Sequence, residues 1–221
     1  MLLALILAAS SPTNTVGRFD RTNSRTPQGR SCRGLPGAKC FSCVCANSTN
    51  YALQSQNMSN AAWVAAGGAV VTPSDGSPTY LAPDGTNTAQ LLTVAACPAV
   101  SSIIYQLQNI PTGTASGSVW IRGAGSISVS VYDATGAAGQ SVPCTASQDW
   151  TLCQVQKSTF NPTYIVFGCN IDPGYVGASN TGAASLYVWQ GQLEISASAT
   201  CPILTTAAPV TRTGGCSAVC Q

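Results

Sequence analysis

The chain contains no histidine, and only 7% of its 221 residues are charged, against about 25% in an ordinary soluble domain. Without an imidazole, Ser-His-Asp and Cys-His nucleophilic machinery is excluded. No apolar run reaches the roughly 20 residues that a spanning helix needs, and no segment carries the apolar period of an amphipathic helix. Carboxylates are equally sparse, and Asp84 in "PDGT" and Asp172 in "DPG" are explained by turn preference. A glycosidase pair needs two carboxyl groups facing one cleft about 5 to 10 Å apart, and no spacing here brings two together. The expectation is a protein without catalytic residues, not an enzyme.

The few charges are unevenly placed. Arg18, Arg21, Arg25, Arg30, Arg33 and Lys39 face only Asp20 near the N-terminus, while Arg122, Lys157 and Arg212 share the rest with Asp75, Asp84, Asp133, Asp149, Asp172 and Glu194. A basic arm on a weakly acidic body fits an arm that docks on an acidic surface. The body is too acidic, and the arm too poor in aromatics, for nucleic-acid binding. Ahead of the arm, "MLLALILAAS" lacks the charged start of an export signal and the length of a membrane span. It is read as an apolar plug, with Leu2, Leu3, Leu5, Ile6 and Leu7 as the buried anchor and Arg18, Arg21 and Arg25 as docking charges.

Eleven cysteines are present. Cys-rich chains in oxidising surroundings form disulfides, and the odd count leaves one thiol over or paired between chains. Cys32, Cys40, Cys43 and Cys45 cluster in the arm, and Cys216 and Cys220 close the chain, bridging locally or to Cys201. Four thiolates in "CRGLPGAKCFSCVC" could hold zinc, but structural zinc sites come as two spaced pairs, and Cys43 and Cys45 are one residue apart. Calcium at Asp84 lacks an acidic ligand cluster. Neither a metal nor a cofactor is expected. Cys144 and Cys153, in "CTASQDWTLC", flank what reads as a turn between adjacent strands and are the best intradomain pair.

From residue 51 onward short apolar runs alternate with turn residues about every 8 to 12 positions, which predicts an all-β sandwich. The clearest strand is "SISVSVYD", with Ile127, Val129 and Val131 on one face and Ser128, Ser130 and Tyr132 on the other. In "SVWIRG", Val119 and Ile121 oppose Trp120 and Arg122. The two segments are expected to pair across the Gly123-Ala124-Gly125 turn. Further strands are predicted in "AVVTP", "AQLLTVA", "SIIYQLQNI", "WTLCQVQKSTF", "TYIVFGCNI" and "SLYVWQGQLE". The preferred topology is a jelly roll.

An ordered series of motifs, "NMSNAAWVAAGGAVVTP", "APDGTNTAQLL", "IPTGTASGSVWIRG", "TASQDWTLCQV" and "LYVWQGQLE" followed by "APVTR", resembles the carbohydrate-binding-module-like β-sandwich domains of bacteriophage fibre, head-spike and tail proteins. The resemblance covers about residues 53 to 212. It implies a jelly roll in a virion or glycan-binding setting. The cysteines and the first 50 residues depart from that pattern.

The organisation expected is an anchoring arm over 1–50, a jelly-roll domain over 51–212 and a Cys-containing tail over 213–221. The function expected is a phage virion structural protein, a head-decoration, fibre or spike subunit at the virion surface. Its partners are capsid or tail proteins, sister subunits and host-surface or environmental glycans. The alternative is a secreted glycan-binding module with an atypical export signal. For sugar binding the candidates are Trp120, Arg122 and Tyr132 on one non-core face, with Gln106 and Tyr187 as neighbours. Tryptophan in a sandwich serves as core or interface more often than as a ligand platform, and Trp63 and Trp189 are assigned to packing.

Overall fold

The computed structural model describes residues 40–41, 47–96, 101–133, 139–159, 163–169, 175–176, 182–213 and 219–220. The expected anchors Leu2, Leu3, Leu5, Ile6, Leu7, Arg18, Arg21 and Arg25 lie outside them, as do Cys32, Cys43, Cys45 and Cys216. In chain order the strands are β1 (Cys40–Phe41), β2 (Ser48–Asn50), β3 (Val64–Ala66), β4 (Val70–Thr72) and β5 (Gln90–Val94). Next come β6 (Ser102–Gln108), β7 (Gly113–Ala124), β8 (Ser126–Asp133), β9 (Gly139–Thr145) and β10 (Thr151–Thr159). The last are β11 (Thr163–Cys169), β12 (Tyr175–Val176), β13 (Ala184–Ile195), β14 (Val210–Arg212) and β15 (Val219–Cys220).

Thirteen of these strands form two stacked sheets, the jelly-roll sandwich predicted by the spacing of turns. One sheet runs β10-β7-β13-β2-β14, with β5 on the other half of β13 and β4 beyond it; the second runs β12-β9-β8-β11-β6-β3. The short β1 and β15 pair separately, with Cys40 opposite Cys220 in the backbone register.

The period-2 pattern decides which residues fill the space between the sheets. Ile127, Val129 and Val131 of β8 meet Val119 and Ile121 of β7, and all five are fully buried. Ile165, Phe167, Val188 and Leu193 complete the same core. Each such side chain removed from water contributes about 1.5 to 3 kcal/mol. Trp63 stacks on Phe167 with ring centroids 5.5 Å apart, and its indole N–H donates to Leu53 O at 2.9 Å. Its assignment to packing holds.

The expected hairpin between β7 and β8 does not form. Both edges of β7 are occupied, one by β10 and the other by β13, so no edge is left for β8, which pairs with β9 and β11 in the opposite sheet. Gly123 and Gly125, at φ 125° and 106°, turn the chain from one sheet to the other in backbone conformations that side chains disfavour. The corner is hydrogen-bonded to a second crossing, between β9 and β10. There Gly123 N–H donates to Ser147 O at 2.7 Å and Ala146 N–H to Gly125 O at 2.9 Å.

Cys144 and Cys153 form a disulfide, as their spacing predicted, but not across adjacent strands. Cys144 is in β9 and Cys153 in β10, which belong to different sheets, so the bond ties the two layers together beside this corner. Cys169 is also disulfide-bonded. Cys201 is buried, and Cys216, one end of the considered bridges, lies outside the described residues.

The lower half of the seven-stranded sheet carries a buried polar layer on its outer side. The amide of Asn50 accepts from Ala52 N–H and Leu193 N–H, each at 3.0 Å, and donates to Ile203 O at 2.8 Å. Glu194, fully buried, accepts from the Thr200 N–H at 2.9 Å and the Thr200 hydroxyl at 2.6 Å. These bonds hold the 196–206 segment against the sheet and satisfy groups that would otherwise be costly to bury.

Candidate functional site

Register separates the predicted sugar-binding residues into two groups on opposite outer faces. On the seven-stranded sheet, Trp120 of β7 lies directly between Leu152 of β10 and Trp189 of β13. Two residues along β7, Arg122 lies opposite Tyr187 of β13, with Trp150, the residue before β10, on its other side. Trp120, Arg122 and Tyr187 are therefore brought together, as expected.

Trp120 is not an open platform, however. The segment 78–89 straps over it, placing Ala82 and Ala89 against Trp120, Trp150 and Trp189 as a second, smaller apolar cluster. Two indoles pin the strap: Trp189 Nε1 donates to Thr88 Oγ1 at 3.1 Å and Trp150 Nε1 to Leu81 O at 3.2 Å. Trp120 is only 6% exposed. The expected ligand role of Trp120 gives way to packing because tryptophans aligned across neighbouring strands bury more apolar area under a cover than they would in water. Trp189, assigned to packing from sequence, is 1% exposed.

Arg122 and Tyr187 sit at the margin of this cluster, half-buried. The Arg122 guanidinium carbon lies 5.0 Å from the ring centroids of both Trp150 and Tyr187, and Nη2 donates to Thr79 O at 2.7 Å. Tyr80 meets Tyr187 edge to face at 5.5 Å. Burial lowers the Arg122 pKa from its ordinary value and the Tyr187 phenol opposes that shift; the group remains a cation at neutral pH.

Tyr132 and Gln106 belong to the six-stranded sheet. Gln106 points inward and is 2% exposed. Its Nε2 donates to Leu53 O at 3.2 Å and Ala62 O at 3.0 Å, and its Oε1 accepts from Leu53 N–H and Gln108 Nε2. With its amide committed to holding the 53–62 segment, Gln106 is a structural residue and not the sugar contact expected.

Tyr132 faces outward, and there the structure assembles something the sequence reading missed. Tyr132 of β8, Tyr164 of β11 and Leu107 of β6 stand directly opposite one another on three neighbouring strands. Tyr105, two residues from Leu107, lies on the same face, with Val64 opposite it at the edge strand β3. Tyr132 and Tyr164 stack at 5.5 Å and 27°, while Tyr105 and Tyr164 meet edge to face at 5.8 Å. All three tyrosines are partly exposed, and Leu107 and Val64 are each 44% exposed. The alternation in "SIIYQLQNI" and "TYIVFGCNI" places Tyr105 and Tyr164 on outer faces, but only pairing shows that they adjoin Tyr132. The result is a ledge of phenol rings and hydroxyls without a charged side chain in the row, suited to a neutral polyol.

Asp75, Asp84, Asp133 and Glu194 are otherwise engaged. Asp84 accepts from the Thr86 N–H and hydroxyl at 3.0 and 2.6 Å, the turn role expected of it. Asp75 accepts from Ser77 N–H at 2.8 Å, which lowers its pKa. Asp133 pairs with Lys157, and Glu194 holds Thr200.

No family model matches the chain, and no curated protein does. Among solved structures, TmCBM61 in complex with beta-1,4-galactotriose is similar at 14% identity, over 65% of this chain and 97% of that one, with a TM-score of 0.45. The enzymatically active domain of tailspike protein 4 from bacteriophage CBA120 is similar at 12% identity, over 65% of this chain and 21% of that one, with a TM-score of 0.45. The carbohydrate-binding module CBM29-2 is similar at 11% identity, over 69% and 94% of the two chains, with a TM-score of 0.44.

Proposed function

We propose that this chain is a non-catalytic glycan-binding module that serves as a virion structural protein. The observation that carries the glycan reading is the row of Tyr105, Tyr164 and Tyr132 on the outer face of the six-stranded sheet. Aromatic rings offer sugar C–H groups an apolar surface at small entropy cost, and phenol hydroxyls both donate and accept toward sugar hydroxyls. A rigid sheet holds them in place without a closing loop. The engagement of Asp75, Asp84, Asp133 and Glu194 in turns, an ion pair and a buried cluster supports binding over hydrolysis. The virion setting rests on the motif series over residues 53 to 212 and on the apolar, basic segment ahead of the sandwich.

The test is binding of neutral polysaccharides to the full chain by affinity electrophoresis and calorimetry. Truncating a central aromatic contact costs at least about 2 kcal/mol, roughly thirtyfold in affinity, so Tyr164→Ala should lose binding while its circular dichroism is unchanged. Failure to bind any neutral polysaccharide, or undiminished binding by Tyr164→Ala, removes the glycan reading. For the virion setting, the chain lacking residues 1–9 should stay folded yet fail to incorporate into particles. A mature N-terminus at Ser10 or Ser11 would favour secretion instead.

A further inference from the structure

We infer that Arg122, clamped between Trp150 and Tyr187, is a second recognition point for an acidic glycan, one carrying a carboxylate on its sugar rings. The inference rests on the glycan-binding reading but uses the opposite face of the sandwich. The three cations of the sandwich are disposed differently. Lys157 is paired with Asp133 at 2.9 Å. Arg212 donates to Cys201 O and Thr200 Oγ1 at 2.9 and 2.8 Å, inside the cluster that contains Glu194. Arg122 sits instead between two aromatic rings, and among the described residues its side chain donates to a backbone carbonyl, Thr79 O.

A guanidinium carries five N–H donors in a fixed fork that matches a carboxylate. Here one arm is spent on Thr79, and the flanking Trp150 and Tyr187 rings, each 5.0 Å from the guanidinium carbon, confine the group. The remaining edge is therefore preorganised, which lowers the ordering cost of binding an anion. The group is half-buried, so an anion arriving there is screened less than at an open surface. Tyr80, at 5.5 Å from Tyr187, and Leu81, 40% exposed and bonded through its carbonyl to Trp150 Nε1, add apolar surface beside the two rings that flank the cation, for the sugar ring that carries the acid. In a chain that uses so few charges, the register that sets an arginine between two aromatics gives the strap a polar margin that the packing of Trp120 and Trp189 does not require.

The experiment compares the full chain on alginate, polygalacturonate, hyaluronan and xanthan, each against its own carboxyl-reduced form, with Trp150 fluorescence and calorimetry as readouts. At least one native polymer should bind tenfold or more tightly than its reduced form at low salt. That preference should shrink toward unity in 0.5 M salt on the order expected for screened charge. Arg122→Gln should abolish the preference, and Arg122→Lys should keep part of it. A role confined to clamping the strap predicts lower stability for both variants with selectivity unchanged. Equal binding of native and reduced forms, preference surviving in Arg122→Gln, or no binding of any acidic polymer overturns the inference. Binding of neutral polysaccharides through Tyr164 is scored separately, so either reading can fail while the other stands.

Discussion

Lys157 Nζ lies 2.9 Å from Asp133 Oδ2, and the pair joins the two sheets, since Lys157 is in β10 and Asp133 ends β8. Asp133 is fully buried, while the Lys157 side chain is 15% exposed. Removing one partner of a buried pair strands the other charge and costs about 3 to 5 kcal/mol; the partial exposure of Lys157 puts this pair at the lower end. Lys157→Ala should therefore lower the urea midpoint by far more than a surface substitution, and Lys157→Met combined with Asp133→Leu should recover most of the loss. A Lys157→Ala midpoint indistinguishable from wild type would show that the pair is idle.

The Cys144–Cys153 bond crosses between the layers at the same end of β10 where the two corners are hydrogen-bonded. A native disulfide contributes typically 2 to 4 kcal/mol, less when the closed loop is short. The separation here is nine residues, so the Cys144→Ala/Cys153→Ala variant should lose roughly 2 kcal/mol in chemical denaturation while keeping the tyrosine row and its glycan affinity. Loss of binding alongside intact secondary structure would mean that the corner positions the row after all.

Gly117 of β7 faces Val131 and Ile165 of the opposite sheet without a side chain. A Cβ there would stand 2.7 Å from Val131 Cγ2 and 3.4 Å from Ile165 Cδ1. Overpacking of this kind costs typically about 1 to 3 kcal/mol. Gly117→Ala is expected to be destabilised by that amount, and adding Val131→Ala should restore part of it. Equal melting of Gly117→Ala and wild type would show that the layers can move apart freely.

Alternation along single strands was legible from the residues alone. It assigned Ile127, Val129 and Val131 to the core and Ser128, Ser130 and Tyr132 to the opposite face, because a period of two is a local property of extended backbone; that face is itself covered at Ser128 and Ser130, which are buried, and open only at Tyr132. Turn residues gave the all-β class for the same reason. Partners were not legible. "GAG" after "SVWIR" reads equally as a hairpin or as a corner, and the choice fell to the corner because β10 and β13, from far along the chain, occupy both edges of β7.

The candidate site divides along the same line. Sequence identified Tyr132, Arg122 and Tyr187 as polar-aromatic residues on outer faces, and it paired Cys144 with Cys153. It could not place Tyr164 beside Tyr132 or Trp150 beside Arg122, since those neighbours are set by register between strands 32 and 28 residues apart in the chain. Nor could it foresee that Trp120 is roofed by the 78–89 strap or that Gln106 turns inward to bind Leu53 and Ala62. Residue chemistry and strand period are inherited from the chain itself; which aromatic becomes core and which becomes surface is decided only when two sheets and their coverings compete for the same apolar area.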